Sequence, residues 1–230
     1  MSKIAILSAG PGLPEIVRKY GHSSNWIPNM LSKHNLKFIN REVYNNDLGD
    51  INEADGWIIT GSKYSVYEDR SWINNLKLYV SKLIDNNKYI LGICFGHQLL
   101  AHCLGAEVKK NPLGWELGSY KICLSKAGLK HLLFSGLSNY ELVYESHQDI
   151  VCNMPDNLIP LAYTDKSNQS FSYSSNIFGV QFHPEFSWEV TKLLMDLRIK
   201  KGVTVDSKKL KLASNSYKIL DNFVSLIKDN

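Results

Sequence analysis

The chain has 230 residues, 44% of them hydrophobic and 21% charged, with 26 basic and 22 acidic side chains for a net charge of +4. That composition excludes a disordered segment and leaves room for one domain with a substantial buried core. The excess of positive charge is too small and too scattered to define a nucleic-acid surface. Its densest cluster (Arg198, Lys200, Lys201, Lys208, Lys209, Lys211) has no aromatic residue between Arg198 and Lys211 on which a base could stack, so it reads as a solvated helix end.

In chain order, Lys3–Ser8 is a buried first strand that stops at the Gly10-Pro11-Gly12 turn, a start unlike a signal peptide. Glu15–Tyr20 and the stretch through Leu31 carry weak helical material. Leu36–Tyr44 and Gly56–Thr60 are predicted strands, the second followed by Gly61-Ser62. Trp72, Leu76, Tyr79, Val80 and Leu83 recur at helical spacing, which predicts an amphipathic helix over Trp72–Ile84. The Tyr89–Ile93 strand then runs into a helix with Phe95, Leu99, Leu100, Cys103 and Leu104 on one face and Gly105 as its stop.

Beyond Ala106 the runs are shorter and extended: Tyr120–Leu124, Leu142–Tyr144, Leu158–Ala162, Ser170–Tyr173 and Ile177–Phe182. They predict antiparallel additions to the sheet. Two helices close the chain, one capped by Ser187 and ended by Gly202, the other capped by Ser214 and carrying Tyr217, Leu220, Phe223, Val224 and Ile227. No repeat and no boundary composition divides the chain, so one α/β domain spanning residues 1–230 is expected, with a mostly parallel sheet between helical layers.

One stretch carries chemistry. In Gly92-Ile93-Cys94-Phe95-Gly96-His97-Gln98 a buried strand meets a helix through a tight turn, with Cys94 at the apex and a glycine two residues away on each side. Such an elbow holds a nucleophile clear of the turn above a helix N-terminus, which favours thiolate over thiol. A nucleophilic cysteine needs a base, and the base needs an acceptor to orient it. His183 fits best. Pro184 holds it extended, and Glu185, two residues on, projects to the same side.

His147 is a rival base without a carboxylate placed as Glu185 is, while His97 and His102 belong on the polar side of the elbow helix. Cys103, Cys123 and Cys152 read as structural, and with no CxxC pair the four cysteines point to reduced thiols in a cytoplasmic protein. The Tyr89–Val108 run is broken by His97, Gln98 and His102 and is a poor membrane span. A zinc site built from His183, Glu185 and His147 lacks ligand spacing, and no Gly-x-x-x-x-Gly-Lys loop is present, so no metal and no cofactor is expected.

The elbow together with Phe182-His183-Pro184-Glu185, 89 residues downstream of Cys94 and in the order Cys, His, Glu, closely resembles the signature of class I glutamine amidotransferases. The resemblance runs from the first strand to about Ser187. It implies a flavodoxin-like three-layer fold with the active site at the C-terminal edge of the parallel strands. It also implies attack of Cys94 on the side-chain amide of glutamine through a γ-glutamyl thioester, with His183 moving protons and Glu185 orienting it.

The resemblance further implies an oxyanion hole from the backbone N–H groups of Phe95 and Gly61. Gln98, and Ser146, Gln148 and Asp149 of the Glu145–Asp149 loop, match positions that hold the substrate's amino-acid end. Asn111-Pro112-Leu113-Gly114-Trp115-Glu116-Leu117-Gly118 looks like the run found in stand-alone relatives such as plant γ-glutamyl peptidases, and departs from that of GMP synthetase glutaminase domains. Four functions stay open: a glutaminase that feeds ammonia to a separate synthetase, a stand-alone γ-glutamyl peptidase, a catalytically silent binding protein, and a cysteine hydrolase unrelated to glutamine. Nucleic acid and membrane are not expected partners.

Overall fold

The computed structural model describes residues 1–205 and 210–228. Its strands are β1 (Ser2–Leu7), β2 (Leu36–Arg41), β3 (Gly56–Ile59), β4 (Tyr89–Ile93), β5 (Glu107–Lys110), β6 (Glu116–Leu124), β7 (Tyr140–His147), β8 (Asp149–Cys152), β9 (Ile159–Tyr163), β10 (Asn168–Tyr173) and β11 (Ile177–Val180). The helices are α1 (Pro14–Tyr20), α2 (Ser23–Met30), α3 (Ser71–Asp85), α4 (Phe95–Cys103), α5 (Trp188–Lys200) and α6 (Lys218–Lys228).

Nine of these strands form one sheet in the order β2-β1-β3-β4-β11-β10-β9-β6-β7. The first five are mutually parallel and the remaining pairings are antiparallel. The expected layered α/β architecture is thus observed, with one change: β11, expected among the antiparallel additions, pairs parallel with β4. That pairing carries the chain from Val180 to His183 on the side where β4 delivers Cys94, and the main-chain N–H of Cys94 donates to the carbonyl of Val180 at 2.9 Å.

Period-two alternation in fully buried strands builds a core on each face. Ala5 and Leu7 of β1 pack with Trp57, Ile59 and the apolar faces of α3 and α4. Ile4 and Ile6 pack with Ile58, Leu91 and Phe178 against α2 and α6. A third, smaller cluster joins Ile16 of α1 to Val190 and Leu194 of α5 beside the sheet's C-terminal edge.

Several boundaries differ from expectation. β2 ends at Arg41, because Val43–Asn45 turns into a 3-10 helix closed by Asn46 at φ 63°. The antiparallel strands β6 and β7 are longer than their apolar runs, since polar residues such as Glu116, Glu145 and Ser146 continue the ladder. The small β5–β8 pair was not expected. Ser187 caps α5 as predicted, accepting from the N–H of Val190 at 3.2 Å.

Ser214 does not cap the last helix. Asn215, Ser216 and Tyr217 lead in through i→i+3 bonds, the helix begins at Lys218, and Tyr217 is 40% exposed. Among the described residues no helix is long and apolar enough to cross a membrane.

Candidate active site

The elbow forms because two backbones must approach more closely than any side chain allows. A Cβ on Gly92 would lie 2.4 Å from the carbonyl of Gly96, and one on Gly96 would lie 2.4 Å from the carbonyl oxygen of Ile59. Neither glycine has a positive φ. The left-handed backbone falls on Cys94 itself, at φ 52° and ψ −99°. Strain at a cysteine between a buried strand and a helix is how a fold aims a nucleophile, since ordinary packing would relax it.

Around Cys94 the tertiary structure assembles residues from four other segments. A Cβ on Gly61 would meet Cβ of Cys94 at 3.6 Å and Cε1 of His183 at 2.8 Å, so Gly61 lies against both. The N–H of Phe95 begins α4 directly after the cysteine. His183 is buried, its main-chain N–H donates to the Tyr144 carbonyl at 2.8 Å, and its Nδ1–H donates to Oε1 of Glu185 at 2.7 Å.

The other ring nitrogen of His183 is left for the sulfur, and Cys94 lies within charge and hydrogen-bonding range of the ring. Burial alone would depress this imidazole. The Glu185 carboxylate and Cys94 outweigh burial and raise it to about 10. Phe186 stacks flat on the ring at 3.8 Å between centroids with a 10° interplanar angle, and Trp26 packs edge-on against Phe186.

Gly61, His183, Glu185, Phe186 and Trp26 border a cleft of about 110 Å³ at the C-terminal edge of the parallel strands, and Cys94 is not among its lining residues. Two of its lining residues, Gly61 and His183, adjoin Cys94. Its opposite wall is the Gly10-Pro11-Gly12 loop after β1 with α1 and α2 beyond. That loop is held by two bonds: Nε2–H of His22 donates to the carbonyl of Gly10 at 2.8 Å, and the N–H of Ala9 donates to Oγ1 of Thr60 at 3.0 Å.

Of the expected substrate-holding residues, Ser146 lines the cleft. Gln98 is buried beside it, with Nε2 donating to the Asp149 carbonyl at 3.0 Å and to Oε1 of Gln181 at 3.1 Å. Asp149 accepts from the hydroxyls of Ser65 and Tyr67. Gln148 accepts from the N–H of Asn111 through its carbonyl at 2.7 Å. Gln98, Gln148 and Asp149 are therefore tied to one another through the loop, a step away from the cleft.

His147 has a different environment from the one expected. It does have acid neighbours: Nε2 lies 3.2 Å from Glu145 and 3.5 Å from Glu116. Burial nevertheless drives His147 down to about 4, assisted by the charge on His183 and opposed by Glu116, while burial and Glu116 hold the Glu145 carboxyl well above its usual range. His97 is not on a polar face; it is fully buried against Phe171 at 5.0 Å between centroids and pushed by burial to about 3.

Arg198 is not solvated as its cluster suggested. It is half-buried, lines the cleft, and lies over the Trp115 ring at 4.9 Å. Lys208 and Lys209 lie outside the described residues. The four cysteines are unpaired. Among the described residues no group of three or more His, Cys, Asp or Glu side chains is arranged to hold a metal.

Sequence reasoning missed Phe186, Ser65, Tyr67 and the α1–α2 wall. A usable signal existed for the wall: Gly10-Pro11-Gly12 follows a parallel strand, and loops at the carboxyl ends of such strands converge on the ligand crevice.

A family model described as "Glutamine amidotransferase class-I" matches residues 14–195, most of the chain. This chain belongs to the class I glutamine amidotransferases. A glutamine amidotransferase-like protein of Schizosaccharomyces pombe is 30% identical over 98% of this chain and 97% of that protein. Gamma-glutamyl peptidase 5 of Arabidopsis thaliana is 33% identical over 64% of this chain, and the match spans only 60% of that protein. A glutamine-hydrolyzing GMP synthase subunit from Saccharolobus solfataricus is 34% identical over 68% of this chain and 83% of that protein. The crystal structure of a glutamine amidotransferase from Thermotoga maritima superposes with a TM-score of 0.76 over 99% of this chain and 96% of that one, at 20% identity, which establishes the shared fold.

Proposed function

We propose that this chain is a cysteine-nucleophile amidohydrolase, working as a single domain, that cleaves the side-chain amide of glutamine or of a γ-glutamyl compound. The observation that carries the proposal is the convergence of Cys94, in strained left-handed backbone, with an imidazole whose Nδ1–H is held by Glu185 at 2.7 Å. An imidazole that binds its proton up to about 10 accepts it readily from a thiol and stabilises the thiolate as an ion pair.

The thiolate adds to the γ-carbonyl carbon. The N–H groups of Phe95 and Gly61 receive the oxyanion, each such donor being worth ~3–4 kcal/mol of barrier. His183 returns its proton to the leaving nitrogen as the C–N bond breaks, leaving a γ-glutamyl thioester on Cys94. Water, deprotonated by the same imidazole, then releases glutamate and restores the thiol. Glu185 fixes the tautomer throughout and never has to accept the proton. Gln98, Ser146, Gln148 and Asp149 hold the amino-acid end, partly through main-chain groups.

The fate of the amine divides two forms of this activity. The likeness to a GMP synthase subunit supports release of ammonia to a separate acceptor enzyme. The likeness to a gamma-glutamyl peptidase, together with a cleft far larger than ammonia needs, supports direct hydrolysis of γ-glutamyl peptides. A glutamine-analogue electrophile is expected to label Cys94 alone among the four cysteines, by peptide mass mapping, and Cys94→Ala should lose both labelling and at least ~10⁴-fold of glutamate release. Undiminished release by Cys94→Ala would refute the mechanism. No release by the native chain from glutamine or any γ-glutamyl amide would instead favour a silent binding protein.

A further inference from the structure

The cleft beside His183 contains a cation that cleavage of glutamine does not use. Arg198 sits in the last turn of α5 with its guanidinium over the Trp115 ring, and its Nε is buried without a hydrogen-bond partner. Among the described residues no carboxylate pairs with it. Asp196 is engaged by Lys192 at 3.1 Å, and Glu185, the one carboxylate bordering the cleft, is engaged by His183. Burial depresses Arg198, and the charge that opposes this comes from Cys94. A guanidinium removed from water ordinarily finds a carboxylate, and its planar fork suits one arriving on a ligand. Trp115 also gives the Trp115-Glu116 run a use: its ring holds the guanidinium in place by cation–π contact.

The chemistry of the step decides which end of the substrate meets Arg198. The leaving nitrogen takes its proton from His183, so the leaving group occupies the imidazole's side of the nucleophile. That side is the cleft, with Phe186, Trp26 and Ile16 as apolar walls and Arg198 as its half-buried cation; Lys63, which also lines it, is exposed and lies over the Tyr64 ring at 5.0 Å. Of the residues assigned above to the glutamyl end, Ser146 borders it while Gln98, Gln148 and Asp149 do not. Departing ammonia needs only the ~10–15 Å³ that holds one water-sized molecule. It has use for neither apolar walls nor a cation. An amine with an apolar body and a terminal carboxylate uses both.

We propose that Arg198, supported by Trp115, binds the carboxylate of the leaving amine, so that the substrates favoured by this site are γ-glutamyl amino acids or short γ-glutamyl peptides with a free C-terminal carboxylate. The proposal rests on the hydrolase described above and names its leaving-group specificity. The bond changes are those already given: the γ-carbonyl C–N bond breaks, the amine departs with the His183 proton, and water cleaves the thioester. Arg198 takes no proton.

The test is a pair of probes, γ-glutamylglycine and its C-terminal amide, which differ only in the carboxylate. Titrated calorimetrically into Cys94→Ala protein, the acid is expected to bind about 10- to 100-fold more tightly than the amide. Adding Arg198→Met should bring that ratio near one, and Arg198→Lys should leave a reduced preference. In the native enzyme the same ratio should appear in kcat/KM, carried mainly by KM. Equal binding of acid and amide by Cys94→Ala protein overturns the proposal without any arginine variant, and so does a ratio that survives Arg198→Met. Failure of the hydrolase has a separate signature: no glutamate from either probe or from glutamine, whatever the binding ratio.

Discussion

Two buried histidines, in two halves of the same sheet, meet opposite fates. His183 follows the last parallel strand and His147 ends an antiparallel one, and each lies within hydrogen-bonding distance or slightly beyond of a glutamate. His183 is lifted to about 10, whereas His147 falls to about 4. The difference lies in what each glutamate is able to do. Glu185 accepts from Nδ1–H and stands against one imidazole.

Glu145 has no hydrogen bond to either oxygen and lies beside Glu116, which already takes the donors Thr164, Ser167 and Gln169. Burial and the neighbouring Glu116 raise the Glu145 carboxyl well above its usual range, which disfavours the charge that would support His147. His147 spends its Nδ1–H on the Asp149 carbonyl at 3.0 Å and stays neutral. Proximity to a carboxylate is not enough. A base requires a carboxylate that accepts a ring hydrogen bond, as Glu185 does; Glu116, 3.5 Å from Nε2 of His147, raises that ring less than burial lowers it.

The contrast predicts unequal effects on catalysis. His183→Asn should lower kcat/KM for glutamate release by ~10³-fold or more, while His147→Asn should lower it less than tenfold. Comparable losses from both would erase the difference between the two histidines. Glu185→Gln should cost ~10²-fold or more in the same assay and move the basic limb of the pH–rate profile, because the imidazole loses the charge that raises it. Glu145→Gln should leave that limb in place.

The smallest effect is on stability, and it has opposite signs at the two sites. His147 is depressed, so between 6.5 and about 4 the unfolded chain takes a proton that the folded one refuses, and stability falls as the pH drops through that window. His183 is raised, so its contribution is complete below 6.5 and is lost as the pH rises toward about 10. Melting temperatures across this range should show a shallower acid limb in His147→Asn and a shallower alkaline limb in Glu185→Gln. An unchanged slope in both variants would show that neither histidine is held in the state described.

Much of the site is local and therefore legible in the chain. Cys94 with Gly92 and Gly96 specifies an elbow within five residues. His183-Pro184-Glu185 specifies a base and its acceptor within three, because extended backbone sends alternate side chains to one side. What the two glycines are for emerges only from the structure: they permit close backbone approach, and the unusual φ falls on the cysteine.

The lysine- and arginine-rich end of α5 shows the limit. Its composition reads as a solvated face, and nothing local distinguishes Arg198 from Lys200 or Lys201. The packing of α5 against α1, β6 and β7 carries Arg198 over Trp115 and into the cleft.

By itself the sequence determined the elements whose signals are short-ranged: the buried strands, the elbow, the His-x-Glu pair and the layered α/β class. Backbone sterics and side-chain period act within a few residues, and so they can be read there. Tertiary structure decided which carboxylate holds an imidazole, which histidine is raised and which is depressed, and that Arg198 faces the cleft. Those outcomes depend on burial and on neighbours that the chain brings together from dozens of residues away.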